Sequence, residues 1–385
     1  TKKNQGFSDH SEVPTYLLTY PCRGINYRID SRRTQVTVTA MDNVQKKRAA
    51  PPPTAKSDKK SKVVASAPLP FTVTVALPGS VALNPSREVR TFLCGQLSRI
   101  CAVSAVDEVV IYDDKAGESE KAKLSYVPCE FLAKVLQYSE VPPYLRRELI
   151  PSSPDLQFAG LLPPTQMPHH VQPHETPLFR EGRVLEKAPG NRPGGVGSGS
   201  FCTVGLKSDV LLDRKLKPGV RVTVKMDSYN KNGRNYLLGS AVSPTKPREE
   251  TGLFWGYQIR LADSLNSVFS ESPHEGGYDY KIGTTNKASA VNLEDRSVQK
   301  SIPAAKHYLI VIGPVDGLEE VVENDESLSM NGRNAAKLFN AYVRTGPAHS
   351  GSRSLRVEED LMMGMLRLPP LFAKAHERKK KVIHS

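Results

Sequence analysis

Between residues 71 and 112 the apolar positions recur first every second residue and then every third or fourth. Phe71-Thr72-Val73-Thr74-Val75-Ala76-Leu77 alternates as a half-buried strand does. Asn84 reads as an N-cap with Pro85 at the first helical position. Val89, Phe92, Leu93, Leu97, Ile100 and Cys101 then fall on one helical stripe, with Arg87, Arg90 and Arg99 off it. Val109 to Tyr112 is a short β-branched run. Strand, helix, strand in that order predicts a βαβ unit with a right-handed crossover onto a parallel sheet. Further helix is predicted over 128–149, broken at Pro142-Pro143.

From about 165 to 250 the period changes to that of short strands and turns. Lys217-Pro218-Gly219 is a turn, and Val220-Arg221-Val222-Thr223-Val224-Lys225 alternates, with its valines toward a core and Arg221, Thr223 and Lys225 outward. Asn232-Gly233 suits a hairpin turn before Tyr236-Leu237-Leu238. So many strands in so few residues predict a small barrel of the OB type. Tyr308-Leu309-Ile310-Val311-Ile312 is a continuous apolar run of the kind buried in a parallel sheet. Helices are predicted near 335–343 and 354–366. The expected class is therefore α/β, interrupted by an all-β insertion. The boundaries are 1–70 (arm and linker), 71–164 and 251–371 (the α/β domain), 165–250 (the barrel) and 372–385 (a basic tail).

Composition adds a partner. The 385 residues hold 53 Lys and Arg against 40 Asp and Glu, a formal charge of +13, which favours nucleic acid or another anionic surface. The excess is uneven: residues 1–70 carry 13 basic and 5 acidic residues, and 372–385 carry 5 and 1. The stretch 45–70, with Lys46-Lys47-Arg48 and Pro51-Pro52-Pro53, has almost nothing apolar to offset its ordering entropy and reads as a flexible linker. Lys46, Lys47, Arg48, Arg378, Lys379 and Lys380, with Arg221 and Lys225 of the barrel, are the candidate nucleic-acid contacts. No run approaches the ~18 apolar residues of a membrane helix, so no membrane partner is expected. Five scattered cysteines without a C-x-x-C pair predict neither a disulfide framework nor a zinc ribbon. The chain begins at Thr1 with basic extensions and no signal-peptide core, the pattern of a processed mitochondrial protein; nucleus or nucleolus is the alternative.

Most motif-like stretches dissolve on inspection. Gly194-Gly195-Val196-Gly197-Ser198-Gly199-Ser200 precedes a strand, so no helix N-terminus is there to hold a phosphate. His169, His170, His174 and Glu175 sit among prolines in an extended segment, and no metal site is expected. Three segments have the form of ligand loops at a sheet edge: Tyr278 to Thr284, Ile312 to Glu319, and Thr345 to Glu359. Ordinary βα turns would look the same.

The chain from about 70 to 370 resembles the SPOUT-class RNA methyltransferases whose α/β-knot domain carries an inserted OB-fold. The likeness rests on Leu77-Pro78-Gly79-Ser80, Asp155 to Leu162, Pro168-His169-His170 and Phe179-Arg180-Glu181-Gly182. It continues through Gly252-Leu253-Phe254-Trp255-Gly256-Tyr257, Arg260-Leu261-Ala262, Gly277-Tyr278-Asp279, Gly317-Leu318-Glu319 and Gly351-Ser352-Arg353. The resemblance implies a C-terminal trefoil knot, S-adenosylmethionine bound in it, and structured RNA, above all ribosomal RNA, as substrate. It also implies a homodimer, and the altered loops described below leave open a heterodimer with another SPOUT protein. Carried over by position, the cofactor pocket is Thr284, Gly313, Pro314, Gly317, Glu319, Gly346, Ser352 and Leu355. Arg353 and Arg356 would grip a phosphate or the substrate base, and Glu358 or Glu359 would orient them or accept a proton; a salt-bridge network at a helix start is the other reading.

Three departures stand out. Gly313-Pro314 replaces paired glycines, removing a backbone N–H. Gly283-Thr284-Thr285-Asn286-Lys287-Ala288 loses both charges and the last glycine of a Gly-Thr-Ser-Glu-Arg-Gly turn, and Gly346 to Gly351 is one residue longer than the Cys-Pro-x-Gln-Gly stretch it replaces. These changes open a second reading: a catalytically silent relative that binds RNA as a ribosome assembly factor.

Overall fold

A computed structural model describes residues 68–115, 126–186, 199–287 and 290–383. The first half of the α/β unit comprises β1 (Thr72–Pro78), α1 (Arg87–Val103), β2 (Glu108–Tyr112), α2 (Pro128–Glu140) and a single turn α3 (Arg146–Leu149). The barrel follows as β3 (Phe179–Val184), β4 (Phe201–Thr203), β5 (Val210–Leu212), β6 (Arg221–Ser228) and β7 (Leu237–Val242). The chain returns through α4 (Lys246–Thr251), β8 (Gln258–Ala262), α5 (Leu265–Ser270), β9 (Tyr280–Thr284), β10 (Val291–Asn292) and α6 (Arg296–Ser301). It ends with β11 (His307–Val311), α7 (Leu318–Asn324), β12 (Ala341–Arg344) and α8 (Val357–Ile383).

Seven strands form one parallel sheet in the order β10-β12-β9-β11-β1-β2-β8. β12, last in the chain, lies between β9 and β10. Both faces are covered. Val73, Val75, Leu77, Tyr308 and Ile310 pack with α1, α2 and α8, while Ala76, Leu309 and Val311 pack with α5 and α7. This is why β11 reads as an unbroken apolar run. The barrel closes as β3-β4-β5-β7-β6, with β5 and β7 parallel and a separate core that includes Val184, Cys202, Val210, Val222, Val224 and Leu237. It is inserted between α3 and β8, the strand that pairs with β2.

Several expectations are corrected. The cap of α1 is Ser86, whose hydroxyl accepts from the Val89 N–H; Asn84 instead accepts from the Ser86 N–H, one step outside the helix. The α1 stripe splits: Leu97 and Cys101 are buried, but Phe92 is 48% exposed and Val89 is exposed too. Arg90, placed off the stripe, is buried with its guanidinium 3.7 Å from the Tyr126 ring centre. The helix expected over 335–343 is a 3-10 turn (Gly332–Leu338) followed by β12. The expected basic tail from 372 is the end of α8, which continues past Pro369 and Pro370 to Ile383. Packing carries it there: Phe372 stacks on Tyr308 at 3.7 Å and meets Phe71 edge-on, and each such buried side chain contributes about 1.5–3 kcal/mol. Arg378 is anchored within the fold, its guanidinium donating to the Ile302 carbonyl, while Lys379 and Lys380 are exposed on the helix. Lys46, Lys47 and Arg48 lie outside the described residues, as does most of the glycine-rich loop.

The barrel is fastened to the α/β domain by a polar junction. Arg221 donates to both Glu140 oxygens at 2.6 and 2.9 Å and to Glu181 at 2.7 Å. Glu181 also accepts from Thr223 and from the Trp255 indole, each at 2.6 Å. His169 lies 3.1 Å from the Glu140 carboxylate, and both His169 and His170 reach the Glu140 carbonyl at the end of α2. The Pro-His-His segment is thus a clasp. Gly256, at φ +92°, is required there, since a Cβ would stand 2.4 Å from Glu140 Oε1. Burial raises the Glu140 pKa, but the His169 and Arg221 hydrogen bonds outweigh it and hold the group at about 2. Arg221 and Lys225 were both expected to face solvent. Arg221 is committed to this junction, and Lys225 pairs with Glu250 at 2.7 Å.

Candidate functional site at the C-terminal sheet edge

The strands β9, β11 and β12 are neighbours, so the loops leaving their C-terminal ends emerge side by side. One buried carboxylate joins them. Thr284, the last residue of β9, donates its hydroxyl to Asp360 Oδ2 at 2.5 Å, and its Oγ1 accepts from the Gly313 N–H at 3.2 Å. The Thr345 hydroxyl, just past β12, donates to Asp360 Oδ1. Burial pushes the Asp360 carboxyl above the usual carboxylate range, against the two hydroxyls that favour its charge. Asp360 belongs to the first turn of α8, whose buried face is Val357, Asp360, Leu361, Gly364, Met365 and Leu368.

The loop after β11 turns at Pro314, whose carbonyl accepts from the Gly317 N–H at 2.9 Å. Gly317 holds φ +97°, and a Cβ there would lie 2.7 Å from Glu319 Oε2. Glu319 pairs through its other oxygen with Lys287 at 3.1 Å. The Tyr342 hydroxyl is buried within reach of Thr285 and Glu319, and Arg344 Nε is a buried polar atom without a hydrogen-bond partner. The loop after β12 is pinned at both ends: Asn286 exchanges hydrogen bonds with the Leu355 N–H and carbonyl, and Asn292 donates to the Gly346 carbonyl. It encloses a cavity of about 190 Å³ lined by Asn286, Arg344, Gly346, Ser352, Arg353 and Leu355.

The structure therefore gathers Thr284, Gly313, Pro314, Gly317, Glu319, Gly346, Ser352 and Leu355 at one sheet edge. Arg353 lines the cavity. Arg356 and Glu359 do not: they line a larger apolar groove of about 750 Å³ between α1 and α8, with Phe92, Val103, Met362 and Leu366. There Arg356 pairs with Glu358 at 3.2 Å and Glu359 at 3.0 Å, and the Arg356 N–H donates to Glu359. That backbone hydrogen bond holds the Glu359 carboxyl below its usual range. The geometry is that of a helix-start ion-pair network. Sequence reasoning missed Asn286 and Asp360; the available signal was an acid at a core position of the α8 period.

Residues 72–368 match the family model described as "Putative RNA methyltransferase". The chain belongs to this family. Its members include the 28S rRNA (uridine-N(3))-methyltransferase of Homo sapiens, 39% identical over 317 residues that span 80% of this chain and 81% of that protein. The Drosophila melanogaster protein of the same name is 37% identical over 317 residues, 78% of this chain and 62% of the fly protein. A Schizosaccharomyces pombe protein described as a putative methyltransferase is 28% identical over 276 residues, 68% of this chain and 85% of that one. Among the described residues no cysteine lines the edge cavity. Cys94, Cys101 and Cys202 are buried, and burial pushes each thiol up to about 12.

Proposed function

We propose that the chain is an S-adenosylmethionine-dependent methyltransferase acting on N3 of a uridine in ribosomal RNA. The observation that carries this is the convergence of the β9, β11 and β12 loops on Asp360, in a chain of this family. The uridine-N(3) activity for which the human and fly relatives are named supplies the acceptor. The position of β12 between β9 and β10 supports a threaded C-terminal chain, and the parallel β5–β7 closure supports an OB-type barrel.

The residues present fit such a cofactor. Arg344 lines the cavity and its Nε is buried without a partner, and Leu355 offers an apolar wall. Pro314 offers no N–H, and the N–H groups of Gly313 and Gly317 are engaged by Thr284 Oγ1 and the Pro314 carbonyl, so the backbone donors for a cofactor must come from the other loops. At about 190 Å³ the cavity is smaller than the ~300 Å³ at the low end of ligand pockets. We therefore infer that a second copy of the chain completes it, seated on the α1–α8 groove, where Met362 is 63% and Leu366 74% exposed.

When bound, the cofactor supplies a methyl group already activated at sulfur. The chain's task is to align the acceptor nitrogen and to stabilise the uracil ring once its N3 proton has left. Arg353 suits the second role. It lines the cavity and is exposed, so its charge is available to the uracil oxygens. The self-satisfied Arg356–Glu359 pair is assigned to the helix start. Calorimetric titration with S-adenosylmethionine tests the reading, followed by methyl transfer to uridine-containing RNA by wild type and Arg353→Ala. Micromolar binding, with transfer reduced in the variant, is expected. No heat at millimolar cofactor, with RNA binding retained, would establish the silent assembly-factor reading that Pro314 favours.

A further inference from the structure

The barrel's two strongest sequence candidates for RNA, Arg221 and Lys225, are consumed by ion pairs. The cations it leaves free are elsewhere. Among the described residues the barrel's ion pairs engage Arg183, Arg214, Arg221 and Lys225, and none engages Lys207, Lys215, Lys217, Lys231 or Arg234, of which Lys207, Lys231 and Arg234 gather at one end. Lys231 and Arg234 occupy the β6–β7 turn, Tyr229-Asn230-Lys231-Asn232-Gly233-Arg234-Asn235-Tyr236, in which Asn230 through Asn235 are all exposed. Lys207 is exposed in the β4–β5 connection at the same end, where the Leu237 N–H donates to the Asp209 carbonyl.

This turn is shaped and yet packs against nothing at its tip. The Asn230 N–H donates to Ser228 Oγ at 3.0 Å, the Asn232 N–H to Asn230 Oδ1 at 3.1 Å, and the Arg234 N–H to the Lys231 carbonyl at 2.9 Å. Asn232 and Gly233 hold left-handed φ values of +47° and +79°, and no atom lies within 4 Å of a Cβ built at Gly233. Its two ends are anchored: Tyr229 donates to the Pro177 carbonyl at 2.7 Å, and Tyr236 meets Phe201 edge-on at 5.5 Å. A segment that has already lost its conformational entropy, and presents two unpaired cations and three carboxamides to solvent, is preorganised for a polar anionic partner. The nearest acids in sequence are Asp227, two residues before Tyr229, and Asp209, two residues after Lys207.

We propose that the 229–236 turn, with Lys207, is the barrel's contact for an unpaired segment of the RNA substrate. Lys231, Arg234 and Lys207 would take phosphates, and the Asn230, Asn232 and Asn235 carboxamides would meet base edges, which single strands expose and A-form helices withhold from side chains. In five-stranded oligonucleotide-binding barrels the loop joining the last two strands contributes to the ligand face, and this turn has that position. The proposal rests on the RNA reading above and adds where, and to which form of RNA, the barrel binds.

The test is fluorescence anisotropy of the full chain, without cofactor, on a uridine-containing single strand and on a duplex of equal length, across a salt series. Three variants are compared with wild type: Lys231→Ala/Arg234→Ala, the charge reversal Lys231→Glu/Arg234→Glu, and the charge-matched control Lys300→Ala/Lys306→Ala on and beyond α6. The turn variant is expected to weaken single-strand binding at least about tenfold and to flatten the log–log salt slope by about 1.4, two phosphates at ~0.7 each. Charge reversal is expected to weaken it further, and the control to do neither. Wild-type binding with equal losses in turn and control variants overturns the proposal and leaves the RNA reading standing, as does tighter binding to duplex. Failure of the wild type to bind either RNA overturns both.

Discussion

Asp360→Ala is the most demanding test of how the sheet-edge site is built. Truncation strands the Thr284 and Thr345 hydroxyls, which are 0% and 1% exposed, at about 1–3 kcal/mol each. Against this, a buried carboxylate is removed, and the upward displacement of its pKa shows that burial outweighs the two hydrogen bonds. The net expectation is a loss of about 2–4 kcal/mol in urea unfolding followed by far-UV circular dichroism. Asp360→Asn keeps the shape and can accept from one threonine while donating to the other, so it should stay within about 1 kcal/mol of wild type. The variants also differ with pH. A raised folded pKa contributes stability that is complete below the ordinary aspartate range and lost as pH rises through the raised value, a component absent from both variants. Hydrogen exchange supplies the local readout. Amides of 313–317 and 345–355 should exchange faster in Asp360→Ala while those of β6 and β7 are unchanged. If the alanine variant unfolds within 0.5 kcal/mol of wild type with unaltered exchange in both loops, Asp360 does not organise the site.

Other outcomes follow from the junction and the loops. Arg221→Ala leaves Glu140 and Glu181 without their shared cation and should cost about 3–5 kcal/mol, read as an early transition in Trp255 fluorescence. The same junction should loosen in acid. His170, held at about 4 chiefly by burial and then by His169, contributes stability above its ordinary 6.5 that is lost as pH falls toward 4. Glu140, held at about 2, adds a loss between its ordinary 4.5 and 2, so Trp255 emission should shift in two stages. Gly317→Ala forces a side chain into φ +97° and against Glu319, at a cost of at least about 1 kcal/mol, and should weaken S-adenosylmethionine binding in the calorimeter.

Much of this architecture was legible because single elements answer to local pattern. The alternation of 71–77 and the apolar run 308–312 each encode how many faces a strand buries. The hairpin at Asn232-Gly233 encodes its own φ values. What was not legible depends on neighbours distant in sequence. Residues 341–344 are too short a stretch to declare themselves, despite Tyr342 and Val343, and become β12 because a slot between β9 and β10 awaits them. Two prolines argue for ending α8 near 366, and the Tyr308, Phe71 and Ile302 contacts override them. Arg221 does point out of the barrel's own core, as alternation required, but the space outside that core is another domain. At the site, the glycine-rich loops were visible from composition and likeness, whereas the carboxylate joining them sits in the ordinary-looking run Glu358-Glu359-Asp360.

The placement of β12 also sets a timetable for biosynthesis. β10 pairs with β12, so among the described strands it has no partner until residues 341–344 have been made. The strand β1, near the start of the α/β unit, waits for β11, whose register partners follow it by 235 residues. A nascent chain can complete the barrel, with its own core, well before either event. It then carries an unfinished sheet with open edges on β1 and β9 until residues 307–311 have emerged. Such long-range closure makes acquisition of the native state slow, and chaperone demand should concentrate on the interval before residues 307–344 have emerged.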